Sequence, residues 1–182
     1  MYARFGIAIA GMLLVAATGC APVKYDSLRQ QVQLLTDQND VIAEANRLFI
    51  CTDNRDWQCV KDVFAPEVLF DMTSLTGGQP SKLTPQQIVD GWDQGLKNLK
   101  AIHHQAGNYQ VMLKGNEADL FCYGIAFHYL PNPSNQNTRT FVGSYNFHLI
   151  RADAGWKIDL FKFNLKYIDG NKDLGAISKE NK

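Results

Sequence analysis

Apolar and polar positions alternate with two different periods along the chain, and the change of period separates a helical part from a strand part. Residues 41–49 place Val, Ile, Ala, Leu and Phe at the spacing of one helix face. Shorter helical patterns follow at residues 56–65 and 83–99, with a strand pattern at 67–75 between them. Residues 102–168 then read as four strands joined by turns.

This order of elements predicts an α+β fold, in which three N-terminal helices pack against a curved antiparallel β-sheet. Such a sheet buries one face and leaves a cone-shaped cavity at its open end. The folded domain is expected over residues 37–171, followed by a loose polar tail at 172–182. Before it, residues 20–36 form a spacer with a weakly amphipathic helical pattern. A short self-association helix is the alternative for this segment.

Two local signals predict where helices begin. Thr84 precedes Pro85 and Gln87, which is a capping-box pattern with proline at the first helical position. Asp56 is expected to cap the helix that starts at Trp57.

The first twenty residues indicate the cellular compartment. Arg4 precedes an apolar run at 5–17, which is too short to span a bilayer and is typical of a secretory signal. The run ends in ATGC at Cys20, and this ending resembles a bacterial lipobox. The resemblance implies removal of residues 1–19, diacylation of Cys20 and attachment to the membrane, and Ala21 implies the periplasmic face of the outer membrane. An ordinary signal peptide with a chance cysteine is the alternative.

Charge and cysteine usage narrow the remaining classes. Removing the signal takes away one of 18 basic residues and leaves 18 acidic ones, so a near-neutral chain gives no support for nucleic-acid binding.

Cys51 and Cys59 flank a polar turn and form either a disulfide or two buried thiols, since spacing alone does not decide. Cys122 lies in an apolar strand and is expected in the core. No Cys/His spacing predicts a metal site.

Two of the four histidines, His103 and His104, are adjacent at the start of a predicted strand. Because side chains alternate along a strand, only one of them can face the cavity. A two-residue turn at Gly115-Asn116 would set His104 opposite Phe127. A one-residue bulge, which Gly115 would permit, would instead put His104 on the face of His128. The sequence leaves both registers open.

From about Asp40 to Asn171, the order of short motifs resembles a SnoaL-like domain of the NTF2-like superfamily. The matching segments are DNRDW from Asp53, VLFD ending at Asp71, HHQAGN with its His104-x-x-x-Asn108 spacing, GNEADLFCYGIAFH and GSYNFHLIRADAGWKI. The resemblance implies the fold and a homodimer paired through the sheet. It does not imply one reaction, because the superfamily includes dehydratases, isomerases, cyclases and plain binding domains.

The resemblance also implies a site. In dehydratase-like members, an aspartate that closes helix one and a strand histidine form an acid–base pair, and the matching positions are Asp53 and His104. A tyrosine near the end of helix one often assists, but Leu48 and Phe49 stand there in this chain. Further candidates for contacts with a substrate are Asn108, Tyr123, His128, Tyr145, Asn146 and Trp92, although Trp57, Trp92 and Trp156 are each more typical of a core.

These observations predict a lipid-anchored envelope protein whose cavity binds a small, mostly apolar molecule. Because imidazole titrates near neutral pH, His104 could act as a base in dehydratase- or isomerase-like chemistry without a metal or other cofactor. A binding module without catalysis and a dimeric structural or interaction module are the alternatives. His103 is expected to be exposed or at a subunit interface, and His148 at a rim or interface.

Overall fold

The computed structural model describes residues 22–174, with side chains from Tyr25 onward. The predicted signal peptide, the lipidation site at Cys20 and the end of the polar tail lie outside the described residues. No described helix combines the length and apolar character needed to cross a membrane.

Four helices form in the described part of the chain: α1 (Pro22–Asp53), α2 (Trp57–Val63), α3 (Thr73–Thr76) and α4 (Pro85–Leu96). The predicted spacer helix and the first domain helix are one continuous helix, because neither glycine nor proline interrupts residues 24–53. The chain divides into two compact units at Gln33 and Leu34. In the first unit, Leu28 and Val32 are exposed. In the second, Val41 and Leu48 are fully buried.

Both predicted helix starts are confirmed. The Asp56 carboxylate accepts the backbone N–H of Cys59 at 3.0 Å, ahead of α2. At α4, the Thr84 hydroxyl accepts the Gln87 backbone N–H, and the Gln87 side chain accepts that of Thr84 at 2.9 Å. These reciprocal bonds satisfy N–H groups that a helix start leaves without partners.

One six-stranded sheet completes the fold, with its strands in the order β2-β1-β6-β5-β4-β3. The strands are β1 (Phe64–Asp71), β2 (Ser81–Leu83), β3 (Ala101–Lys114), β4 (Glu117–Tyr129), β5 (Thr138–Ala152) and β6 (Gly155–Gly170). The predicted α+β fold, with helices packed on a curved sheet, is confirmed. Neighbouring strands are antiparallel except β1 and β6, which run parallel. The segment at 76–82, expected to be a loop, contributes the edge strand β2.

The hairpin between β3 and β4 has the bulged register. His104 pairs with Ala126, and the pairing shifts by one residue between Gly107 and Gln110. Asn108 lies in this bulge with φ 56°, a conformation that asparagine tolerates better than most residues. The bulge is therefore at Asn108 and not at Gly115, whose φ of 65° serves the two-residue turn itself.

The core lies between the helices and the inner face of the sheet. Leu48 of α1 and Phe147, Leu149 and Ile158 of the sheet are all at most 2% exposed. Cys122 is buried as a free thiol, as predicted, and burial raises its pKa to about 12. Cys51 and Cys59 form the disulfide, with Cα atoms 5.8 Å apart, so the bridge joins the end of α1 to α2.

Candidate functional site

A cavity of about 350 Å³ opens between the helices and the inner face of the sheet. Helices α1, α3 and α4 and strands β3 to β6 each contribute side chains to its lining. Most of these are apolar or aromatic, among them Phe49, Trp92, Phe141, Phe161 and Phe163. The polar exceptions are few, which is the usual composition of a small-molecule pocket.

His104 lines this cavity, and Asp53, which is not among the lining residues, contacts it from behind. His104 Nδ1 lies 2.5 Å from Asp53 Oδ1, and the His104 backbone N–H donates to Asp53 Oδ2 at 2.8 Å. Because a carboxylate only accepts hydrogen bonds, Nδ1 of His104 is the donor in this contact. In the neutral tautomer with this hydrogen bond, Nε2 carries a lone pair. Both side chains are mostly buried, at 14% and 16% exposed.

Local structure holds this pair in place. Asp53 is the last residue of α1, directly after the disulfide-bonded Cys51 and the buried Thr52. Phe49, one turn earlier, stacks on the His104 ring with centroids 5.2 Å apart. The Phe49 ring therefore packs on the histidine and offers it no hydroxyl.

His128 lies on the same face of the sheet and has the opposite hydrogen-bonding role. Arg139 Nη2 donates to His128 Nδ1 at 3.3 Å, which leaves the ring proton on Nε2. Burial, and then the positive charge of Arg139, lowers the pKa of His128 to about 3. His128 is therefore a neutral donor and not a base, whereas His104 offers a lone pair.

Tyr145 adds a third polar group to the cavity. Its ring lies over Gly124, where an added Cβ would come within 2.2 Å of the ring, so only glycine leaves space for it. Burial raises the pKa of the Tyr145 phenol, which stays protonated. Among the described residues its hydroxyl has no hydrogen-bond partner, so it is available to a ligand.

Three of the predicted substrate contacts do not line the cavity. Asn108 is exposed in the bulge, so it does not share a face with His104 as a regular strand would require. Tyr123 is 45% exposed on the outer face, beneath Lys166. Asn146 is also exposed, and accepts a bond from Asn164. Strand alternation explains the last two, because the neighbouring Cys122 and Tyr145 point inward.

The tryptophans and the two remaining histidines differ in whether they line the cavity. Trp92 lines the cavity and packs on Phe161 with centroids 5.7 Å apart, whereas Trp57 and Trp156 lie outside the lining. His103 is exposed on the opposite face from His104, as expected, with Nδ1 3.8 Å from Asp53 Oδ2. Outside the lining, His148 pairs with Asp159 at 2.6 Å.

Several lining residues were not among the sequence predictions, and the one with a charge is Arg139. Arg139 follows a polar stretch at 131–138 and is the second residue of β5. Arg139 is an even number of positions from Phe141 and from Tyr145 along this strand, so alternation could have placed all three on the cavity face. Within residues 22–174, no group of three or more His, Cys, Asp or Glu side chains is arranged to hold a metal ion.

Comparison with known proteins agrees with this fold. A family profile described as the SnoaL-like domain matches residues 33–162. The chain belongs to the SnoaL-like domain family. No curated protein matches it in sequence.

Solved structures show the same fold as this SnoaL-like domain. The Kfla4162 protein from Kribbella flavida aligns with a TM-score of 0.72 at 20% identity, over 75% of this chain and 95% of the other. An NTF2-like protein with a cystatin-like fold from Novosphingobium aromaticivorans aligns at 0.66 and 18% identity, over 87% and 98%. The hexachlorocyclohexane dehydrochlorinase LinA-type3 from Novosphingobium barchaimii aligns at 0.65 and 10% identity, over 78% and 94%.

Proposed function

We propose that this SnoaL-like domain binds a small, mostly apolar molecule and catalyses cofactor-free proton transfer on it, in an elimination or an isomerisation. The observation that carries the proposal is the 2.5 Å contact between His104 Nδ1 and Asp53 Oδ1 at the wall of an aromatic cavity. A histidine with a carboxylate on one nitrogen and a free lone pair on the other is equipped to act as a general base.

In the proposed step, His104 Nε2 removes a proton from a carbon next to a carbonyl group. The Asp53 carboxylate stabilises the imidazolium that forms and holds the ring in one tautomer. The electron pair of the broken C–H bond moves toward the carbonyl oxygen, where the Tyr145 hydroxyl can donate to the developing charge. The imidazolium then returns the proton, to a leaving hydroxyl in a dehydration or to another carbon in an isomerisation.

The apolar lining supports this chemistry. Rings such as Phe49, Trp92 and Phe161 make most of the cavity surface apolar. In a site of low polarity, each hydrogen bond to a developing charge is stronger than it would be in water. A neighbouring structure is named a dehydrochlorinase, an enzyme of elimination, which is a further reason to propose this reaction class.

We propose in addition that residues 1–19 are removed and that lipidated Cys20 anchors the protein to the periplasmic face of the outer membrane. The support is the lipobox-like ending of the apolar run. Cys20→Ser should abolish incorporation of labelled palmitate and release the protein from the membrane fraction. Continued membrane attachment of this variant would contradict the anchor.

A homodimer through the outer face of the sheet is also proposed. This face carries exposed apolar side chains, including Met112 at 61% and Tyr123 at 45%. Sedimentation velocity should give a dimer that Tyr123→Glu converts to a monomer. A monomeric native protein would contradict this part of the proposal.

Deuterium exchange tests the catalytic proposal without knowledge of the natural substrate. A panel of small enolisable ketones and β-hydroxy ketones is incubated with the protein in D₂O, and loss of the α-proton signals is followed by NMR. His104→Gln should lower the exchange rate by about a hundredfold or more. His148→Gln is the matched control, because the same change at a histidine outside the cavity lining, paired with Asp159, should leave the rate unaltered.

Two results would contradict the proposal. Exchange that survives His104→Gln would remove this residue as the base. Binding of panel members without exchange by the native protein would favour the binding module without catalysis.

A further inference from the structure

One cationic side chain stands among the aromatic rings of the cavity. Arg139 is the only lysine or arginine among the residues that line it. Its guanidinium lies 5.1 Å from the ring centroid of Phe141. A half-buried cation in a mostly apolar cavity is costly unless a partner compensates its charge.

The described part of the chain does not supply that partner. Arg139 Nη1 donates to the Lys172 carbonyl at 3.2 Å, and Nη2 donates to His128 Nδ1 at 3.3 Å, both of which are neutral acceptors. The Nε atom is buried and has no hydrogen-bond partner. No described carboxylate lies within ion-pair distance, and Asp173 acts on the guanidinium only through longer-range attraction.

A second donor lies beside this cation. Because Arg139 donates to Nδ1 of His128, the histidine keeps its proton on Nε2, and this N–H has no partner among the described residues. Both side chains line the cavity. Together they offer a positive charge and unfilled N–H donors, the groups that bind an anionic oxygen.

We propose that Arg139 and His128 form an anion subsite, and that the ligand of this domain is an apolar molecule carrying a carboxylate group. A single guanidinium balances a single negative charge, which favours a carboxylate over a doubly charged phosphate. The cavity of about 350 Å³ and its aromatic walls fit an acid of about one ring. The inference deepens the proposed function, because it names the class of molecule that the same cavity takes.

The subsite is separate from the base. His128 follows Ala126, the partner of His104, by two residues on the same strand. The two histidines are therefore about 7 Å apart along the sheet. A carboxylate held by Arg139 would not need His104 for binding, so loss of the base and loss of the subsite have different consequences.

Isothermal titration calorimetry with trans-cinnamate and cinnamamide tests the subsite on the purified protein. The two probes share a shape and differ in charge. Cinnamate should bind at least about tenfold more tightly than cinnamamide, as a charge-assisted hydrogen bond predicts. Arg139→Met should abolish this preference and leave the amide affinity within about twofold of the native value. Lys166→Met, which removes a cation from the outer face, is the matched control and should keep the preference.

Equal affinity for acid and amide in the native protein, or no binding of either, would overturn the subsite. Because the comparison of acid and amide uses the native protein, it tests the subsite even if Arg139→Met fails to fold. A preference that survives in folded Arg139→Met would also overturn it. Benzoate and phenylphosphonate form a second pair, and tighter binding of the phosphonate would overturn the assignment to a carboxylate.

The variant His104→Gln separates this inference from the proposed function. It should keep the preference for cinnamate and lose deuterium exchange. If the native protein prefers cinnamate to cinnamamide but catalyses no deuterium exchange on the ketone panel, catalysis is overturned and the subsite is supported. Exchange without any preference for the acid would overturn the subsite and support catalysis.

Discussion

Acidification should destabilise the native protein more than a variant in which His128 is replaced by glutamine. Burial in the cavity wall, followed by the charge of Arg139, lowers the pKa of His128 from 6.5 to about 3 in the folded state. Between these two values the unfolded chain binds a proton at this residue, and the folded chain does not. Stability therefore falls as the pH falls below 6.5, and this loss continues down to about pH 3.

The size of the effect follows from the same two values. Each pH unit below the unfolded pKa costs about 1.4 kcal/mol of unfolding free energy for one proton. Between about pH 7 and about pH 4.5, His128 should account for a loss of about 2.5 kcal/mol. His128→Gln lacks this titration but keeps the other ionisable groups, so their contributions appear equally in both proteins.

Urea unfolding at both pH values, followed by tryptophan fluorescence, measures the four free energies required. The native protein should lose about 2.5 kcal/mol more than His128→Gln over this interval. Any cost of the substitution at neutral pH cancels, because only the change with pH is compared. Equal losses in the two proteins would refute the buried, neutral state of His128.

Three further predictions concern the framework of the site. Gly124→Ala should destabilise the fold by about 1–3 kcal/mol in urea unfolding, because its methyl group meets the buried ring of Tyr145; an unchanged midpoint would show that the ring can move. Cys51→Ser should cost about 2–3 kcal/mol by opening the loop to Cys59, and reduction by dithiothreitol should then have no further effect; additional destabilisation would contradict the assigned bridge. Thr84→Ala should cost about 1 kcal/mol, whereas no change would contradict the capping box.

The elements that the sequence predicts correctly are those specified by local signals. The capping residues Asp56 and Thr84 determine helix starts through bonds to residues three positions away. The apolar run around Cys122 predicted its place in the core. The helical patterns expected on either side of residue 37 belong to one helix, because no breaking residue separates them.

Features that depend on how one strand pairs with its neighbour could not be predicted from the sequence. The bulge at Asn108 reverses the faces of the residues before it, and its position follows from how two strands match over their whole length. Both registers had therefore to remain open for His104. The place of Arg139 in the cavity was not predicted for a related reason. Its alternation with Phe141 and Tyr145 is informative only once the start of β5 is known, and the polar residues before it do not mark that start.

The lipid anchor, the homodimer and the roles of His104 and Asp53 stay predictions. They rest on a motif in the first twenty residues, on an exposed apolar sheet face and on the geometry of one hydrogen-bonded pair. The last of these is the most direct to measure, because the proposed chemistry requires a particular tautomer before any substrate is known.

Long-range ¹⁵N–¹H correlation spectra of the histidine ring nitrogens at neutral pH make that measurement. We expect His104 to carry its proton on Nδ1, toward Asp53, and Nε2 to be unprotonated. We expect the opposite tautomer for His128, with its proton on Nε2. In Asp53→Asn, His104 should lose its preference for the tautomer protonated on Nδ1. A proton on Nε2 of His104 in the native protein would contradict the central claim, because the cavity would then contain no base at this position.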